Sequence, residues 1–277
     1  MISLIICSRT NVLPESFTQN VSDTIGCSYE LIVIDNSQNQ YSIFEAYNLG
    51  IQQSKGEILC FVHDDVLFHT KEWGAVLELQ FKENPDFSVI GIAGSKVKTK
   101  FPTGWWDCED QYKVLNIIQH DKDQIDYQNS GFNKGNLQKV LFIDGVFMAL
   151  KKNHFFLFDT DLKGFHNYDL NLCIKIRENS GNIGVTNKIL LEHLSVGNLN
   201  RDWFISTAAF HKKYFKSLTI NNSSPEQEIF AGKRFIDYTM RILGKKKGII
   251  YLLSVFRFTN SFKVKYTLGK YIINKFF

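Results

Sequence analysis

Three apolar runs at an even interval constrain this chain more than any other feature. Residues 2–7, 30–34 and 57–62 are aliphatic or aromatic on both faces and begin about 28 residues apart. Runs of that kind suit strands buried in a parallel sheet. Each interval leaves room for a helix, which gives a strand–helix–strand rhythm. The second interval is marked most clearly. Ser42 and Glu45 have the spacing of a capping box, and Phe44, Tyr47 and Ile51 follow at helical spacing. Gly56 stands where a C-terminal cap is expected. In the first interval Pro14-Glu15 opens a helix and Gly26 closes it.

Further along, residues 71–82 read as a third helix and 87–93 as a fourth strand. Residues 96–138 turn polar and irregular, as expected of a functional loop region or a small insertion. Regular pattern resumes at 140–150. A helix follows at 168–179, ending near Gly181, then short strands at 182–186 and 188–192, and helices from 201–216 onward. No repeat or linker interrupts the chain. The expectation is an α/β domain over residues 1–216, with halves at 1–95 and 96–216, and a helical extension over 217–277.

Composition sharpens this. At 277 residues, 44% hydrophobic and with only 4 Pro, the chain can bury a core without disulfides or metal and is not a disordered protein. Of its 32 Lys and Arg, nine lie between Arg241 and Phe277, where there is no Asp or Glu. The first 240 residues therefore carry the other 23 against all 28 acids, which argues against a nucleic-acid binder. Cys7, Cys27, Cys60, Cys108 and Cys173 are odd in number with no CxxC pair, the usage of reduced thiols in a cytoplasmic protein. The opening MISLIICSR lacks a basic leader and reads as a strand rather than a signal peptide. The apolar run at 248–256 is too short to span a bilayer. The basic, aromatic tail suits peripheral contact with an anionic membrane, packing on the domain, or contact with a second copy in a homo-oligomer.

Ligands of open α/β sheets bind at the carboxyl ends of the strands. Ser8 and Arg9 follow the first strand, Asp35 the second, and His63-Asp64-Asp65 the third. The first loop has no glycine and the chain has no GxxxxGK[ST], which argues against dinucleotide- and P-loop-type enzymes. Two carboxylates and an imidazole leaving a buried strand suit Mg²⁺ or Mn²⁺, the imidazole tilting the choice to Mn²⁺. Such an ion can stabilise a diphosphate leaving group. Asp35 can serve as a turn residue or accept hydrogen bonds from a ribose or base.

The ordered set SLIICSR, ELIVIDNS and EAYNLGIQQSKGEILCFVHDDV resembles the nucleotide-sugar-binding half of GT-A glycosyltransferases, most closely family 2. Ala46, Asn48, Gly50 and Gly56 fit that family's A-x-N-x-G helix and its exit. His63-Asp64-Asp65 lies at the D-x-D position, with His for the first Asp. The resemblance implies Asp65 as principal metal ligand, with His63 and His193 (from an H-x-S-x-G-like segment) completing the site. Tyr168-Asp169 is similar to the family's E-D motif, with Tyr for Glu, and implies Asp169 as general base of an inverting transfer. Ser8, Arg9, Asp35, Asn48 and Asp64 would line the nucleotide pocket. Gly145 would admit the donor sugar. Asp144, with Trp105 and Trp106, would meet the acceptor, an aromatic face packing on a sugar ring.

The function this implies is transfer of a sugar from a UDP-linked donor to a saccharide or lipid-linked glycan in polysaccharide biosynthesis. Two other readings differ from it. A sugar-nucleotide nucleotidyltransferase would want a glycine-rich loop after the first strand. A degenerate, non-catalytic relative would account for His63 and Tyr168 standing in for acids.

Overall fold

The computed structural model describes residues 1–121, 124–133, 135–152, 156–195, 197–220 and 223–276. They form two compact units. One comprises residues 1–96 and 113–197, the other 97–112 and 198–277. This grouping draws 97–112 and 198–216 together with the C-terminal helices, where the sequence placed a division at 216.

The first unit opens with the expected rhythm: β1 (Ile2–Ser8), α1 (Glu15–Thr24), β2 (Tyr29–Asp35), α2 (Ile43–Gln53) and β3 (Ile58–Val62). β1 pairs in parallel with β2 on one side and β3 on the other. The α2 capping box is present, Ser42 and Glu45 each satisfying the other's backbone N–H. The helix ends at Ser54, two residues before the expected glycine. Gly56 instead permits a close approach to β1. Its N–H donates to Ser3 Oγ at 2.8 Å, and a Cβ there would lie 2.6 Å from the same atom. β2 is an edge strand, so its apolar run is only half-buried.

Beyond β3 the chain passes repeatedly between two sheets. β4 (Val66–Phe68), α3 (Trp73–Glu83), β5 (Phe87–Gly91) and β6 (Ala93–Ser95) follow. The expected strand at 87–93 is thus broken after Gly91, β5 lying in one sheet and β6 in the other. The expected irregular region contains instead β7 (Lys113–Asp121) and β8 (Gln124–Ser130), paired antiparallel. β8 is exposed almost throughout, and its two apolar residues, Ile125 and Tyr127, are exposed as well. β9 (Leu137–Val140), β10 (Phe142–Ile143), β11 (Phe147–Lys151), α4 (Tyr168–Glu178), β12 (Asn182–Thr186) and β13 (Leu191–His193) complete the unit.

The larger sheet has the order β2-β1-β3-β11-β5-β12-β9 and is mixed. The second runs β10-β6-β7-β13-β4, with β8 outside β7. A continuous core of strand and helix side chains includes Trp73 stacked on Phe68 at 4.1 Å between ring centroids.

The second unit is helical. α5 (Arg201–Lys213), α6 (Pro225–Ser254) and α7 (Phe262–Phe276) enclose a core that includes Phe101, Trp203, Phe204, Phe235 and Leu268. α6 starts on a Ser224–Gln227 capping box with Pro225 in its first turn. It is interrupted at Gly244, where φ is 72° and ψ is 171°. That left-handed conformation is open to glycine and strained for most other residues. All five cysteines are free thiols, Cys7 and Cys27 half-buried and the others buried. Among the described residues no helix is long and apolar enough to cross a membrane.

Candidate active site

The crossings between the two sheets gather the polar residues. His63-Asp64-Asp65 is the link from β3 in one sheet to β4 in the other. Asp144-Gly145 links β10 back to β11. His193 closes β13 and pairs in register with Val66. Backbone hydrogen bonds tie the crossings together: His63 N–H donates to Val146 O at 3.2 Å, and Leu194 N–H to Asp65 O at 3.0 Å.

The neighbouring carboxylates of the link face different partners. Ser8 Oγ donates to Asp64 Oδ2 at 2.8 Å, which fastens the end of β1 to the end of β3. Asp65 lies instead between two imidazoles. Its Oδ1 is 3.7 Å from His63 Nδ1 and 3.5 Å from His193 Nε2. His63, Asp65 and His193 each offer one ligand atom within 4.8 Å of the others, and their side chains are 34%, 22% and 12% exposed.

The tautomer of His193 follows from its neighbour. Gln119 Nε2 donates to two carbonyl oxygens, those of His120 and Ser195, each at 2.8 Å. That orients the amide and leaves Gln119 Oε1 as a pure acceptor, 3.0 Å from His193 Nδ1. The proton of the neutral ring is therefore on Nδ1. Nε2 is buried without a hydrogen-bond partner and turns its lone pair toward the Asp65 carboxylate. Two acceptors facing each other are suited to a cation between them. With two imidazole nitrogens and one carboxylate, the donor set fits a divalent first-row ion.

His63 is held by α4. Its Nε2 is 2.6 Å from the hydroxyl of Tyr168, the first residue of that helix. Burial, reinforced by the nearby His193, holds the His63 imidazole below its usual range despite the neighbouring Asp65. Gly145 makes room for the tyrosine, because a Cβ at that position would lie 2.3 Å from the Tyr168 hydroxyl. Asn167, which precedes the helix, sits at φ 65°, a left-handed value uncommon for a residue with a side chain.

Asp169 occupies the first turn of α4, as expected, where the helix dipole favours an anion. Burial and the nearby Asp144 carboxylate outweigh that preference and push its carboxyl up to about 7. Its Oδ1 accepts from the Leu170 N–H at 2.8 Å. Asp144 Oδ1 in turn accepts from Val146 N–H at 2.8 Å.

The structure brings together His63, Asp65 and His193 as one group, joined through Tyr168 to Asp169. Ser8 and Asp35 lie side by side at the ends of β1 and β2. Asp35 is exposed and caps its own turn through Ser37 N–H, and Arg9 is exposed in the loop after β1. Asn48 is not part of the group. Both ends of its amide are taken by the backbone of Phe158, at 2.9 and 2.8 Å, so it clamps α2 to that segment.

Trp105 and Trp106 belong to the helical unit. Trp105 is buried at 5% exposure, and Trp106 is half-buried with its ring against Trp203. Asp107 anchors their loop by accepting from Arg234 Nε at 3.0 Å and from the Tyr238 hydroxyl at 2.9 Å. Sequence reasoning did not find Gln119, nor the pairing of Tyr168 with His63. Both are contacts between distant segments, and neither residue type marks itself.

A family profile described as "Glycosyltransferase like family" matches residues 3–223. The chain belongs to this glycosyltransferase-like family. Its fold is the GT-A type expected from the sequence, a mixed α/β sheet arrangement flanked by helices with helices at the C-terminus. Among solved structures this glycosyltransferase-like chain is similar to Staphylococcus aureus TarS residues 1–349, at TM-score 0.50 and 11% identity, over 87% of this chain and 72% of that one. The same TarS fragment in complex with UDP matches at TM-score 0.50 and 12% identity over the same shares. At such identities the likeness is one of fold. No curated protein sequence matches the chain.

Proposed function

We propose that the protein transfers a sugar, with inversion, from a UDP-linked donor to a hydroxyl of a saccharide or lipid-linked glycan. The observation that carries this reading is the His63–Tyr168 hydrogen bond. It ties the first turn of α4, which carries Asp169, to the His63, Asp65 and His193 group. The match of TarS with bound UDP supports a uridine nucleotide as donor.

His63, Asp65 and His193 would hold a divalent ion, Mn²⁺ in preference to Mg²⁺ because two of the three donors are imidazoles. Bound there, the ion supplies Lewis-acid neutralisation of the departing diphosphate. Ser8, Arg9, Asp35 and Asp64 line the strand ends at which the nucleotide would lie. Ionised Asp169 takes the proton of the acceptor hydroxyl as its oxygen bonds to the anomeric carbon. The bond from that carbon to the diphosphate oxygen breaks, and UDP leaves with the electron pair. A carboxyl poised near 7 is suited to accept that proton close to neutral pH.

The test is calorimetric binding of UDP, GDP and CMP with and without Mn²⁺, followed by sugar transfer by Asp169→Asn. The expected result is Mn²⁺-dependent binding of UDP that is abolished in Asp65→Ala and retained in Asp169→Asn. Transfer by Asp169→Asn should fall by about 10²–10⁴-fold. Near-normal transfer by that variant would remove Asp169 as the base. Failure of every nucleotide to bind would move the protein to the non-catalytic reading.

A further inference from the structure

The sequence places basic and apolar residues in one tail, and the helices sort them into faces. In α7 the inward face carries Val264 and Leu268, both at 0% exposure. Leu268 packs so closely on α6 that a Cβ on Gly232 would lie 2.5 Å from it. At about 100° per residue, Phe262, Tyr266 and Ile273 fall within about 40° of one another on the opposite side of the helix. They are 82%, 56% and 58% exposed. Lys263 and Lys270 flank this outer stripe on one side and Lys265 on the other, and Lys270 Nζ lies 4.8 Å from the centre of the Tyr266 ring.

The part of α6 after Gly244 repeats the arrangement. Leu252 is buried inward at 1% exposure, while Ile250 and Leu253 face out at 75% and 64%, about one and two turns beyond Lys246 and Lys247. A helix that hides one apolar stripe and exposes a second, rimmed by lysines, has the form of one lying in a bilayer interface. Its apolar side chains enter the acyl boundary, and the lysine stems reach back to the headgroups.

We infer that the outer faces of α7 and of α6 beyond Gly244 seat this protein on a bilayer surface bearing anionic headgroups. Charge selects that occupant. Residues 241–277 carry nine basic side chains and no acidic one. Lys263 pairs with Glu226 and Lys275 with Asp237 within the helical unit. A second copy docked stripe to stripe would bring the lysine rims against each other with no acid from these segments to meet them. An anionic lipid surface meets both the charge and the apolar stripe. This surface is independent of the transferase reading and stands or falls apart from it.

The test uses the full chain in co-sedimentation with vesicles of phosphatidylcholine alone and of phosphatidylcholine mixed with phosphatidylglycerol, at low and high salt. The wild type should partition onto the mixed vesicles at least about tenfold more strongly than onto the neutral ones, and salt should weaken that preference. The triple variant Ile250→Ser, Phe262→Ser, Ile273→Ser alters only exposed side chains. It should lose about tenfold or more of the partitioning while keeping its circular dichroism. Lys246→Gln with Lys247→Gln and Lys270→Gln should lose the preference for anionic lipid. Equal partitioning of the serine variant and the wild type would overturn the inference, as would no binding of the wild type to mixed vesicles. So would a wild-type dimer in light scattering that the serine variant dissolves, because a second copy would then cover the stripe.

Discussion

A carboxyl buried beside another carboxylate keeps its proton to higher pH than one in water. That is the situation of Asp169 next to Asp144, and it gives the proposed base a measurable signature. Transfer should fall as pH drops through about 7, where Asp169 takes up the proton that stops it acting as a base. In Asp144→Asn the repulsion is gone, the Asp169 carboxyl falls, and the acid limb of the pH–rate profile should move to lower pH. An unmoved limb would assign it to another group. Gln119 gives a second test. Gln119→Met removes the acceptor that fixes the His193 tautomer, and Mn²⁺ affinity measured by calorimetry should drop roughly 10–100-fold. Gln119→Glu keeps an acceptor at that position and should retain most of the affinity.

The residue scale also shows how far the sequence could be read. His63, Asp65, Asp169 and His193 stand at strand and helix ends, where topology alone directs attention, and three of them meet in space. Asn48 sits in a matching motif, yet the fold uses it as a backbone clamp. Gln119 lies in a strand that the sequence did not reveal, 74 positions from the histidine it orients.

Among the elements, those defined by local chemistry were legible. The α2 capping box joins residues three apart, and the first three strands are continuous apolar runs. The antiparallel pairing of β7 and β8 was not legible, because β8 is mostly polar and its short apolar pair, Ile125 and Tyr127, stays exposed. The break between β5 and β6 was hidden in one apolar stretch whose two halves enter different sheets. The packing of α4 against the β10–β11 link is a further relation that only the fold makes visible. Its test is Gly145→Ala. The added methyl would overlap both the hydroxyl and the ring of Tyr168, which is 8% exposed and has little room to move. Overpacking of this kind costs about 1–3 kcal/mol, to be read from urea denaturation. The same variant should weaken Mn²⁺ binding, because the tyrosine it displaces is the partner of His63. Unchanged stability would mean that α4 can shift away from the link.

On the scale of the whole molecule, strand order, register and sheet crossings place the site, while charge and exposure define the C-terminal surface. The sequence showed the asymmetry of charge directly, since it is a property of composition along the chain. It did not show that residues 97–112 belong with helices made from residues 198–277, because that union is closed by core packing and by the contacts of Asp107 with Arg234 and Tyr238, all across a long separation. The packing sets a timetable for synthesis. Phe101 is fully buried in a core that includes Phe235 and Leu268, and its ring lies 5.5 Å from that of Phe258. Those partners leave the ribosome well over a hundred residues after it does. At ~5–20 residues per second the segment waits on the order of ten seconds with its aromatic side chains uncovered. A nascent chain halted before α6 would hold a completed sheet pair and an unshielded aromatic loop, the kind of surface that chaperones recognise.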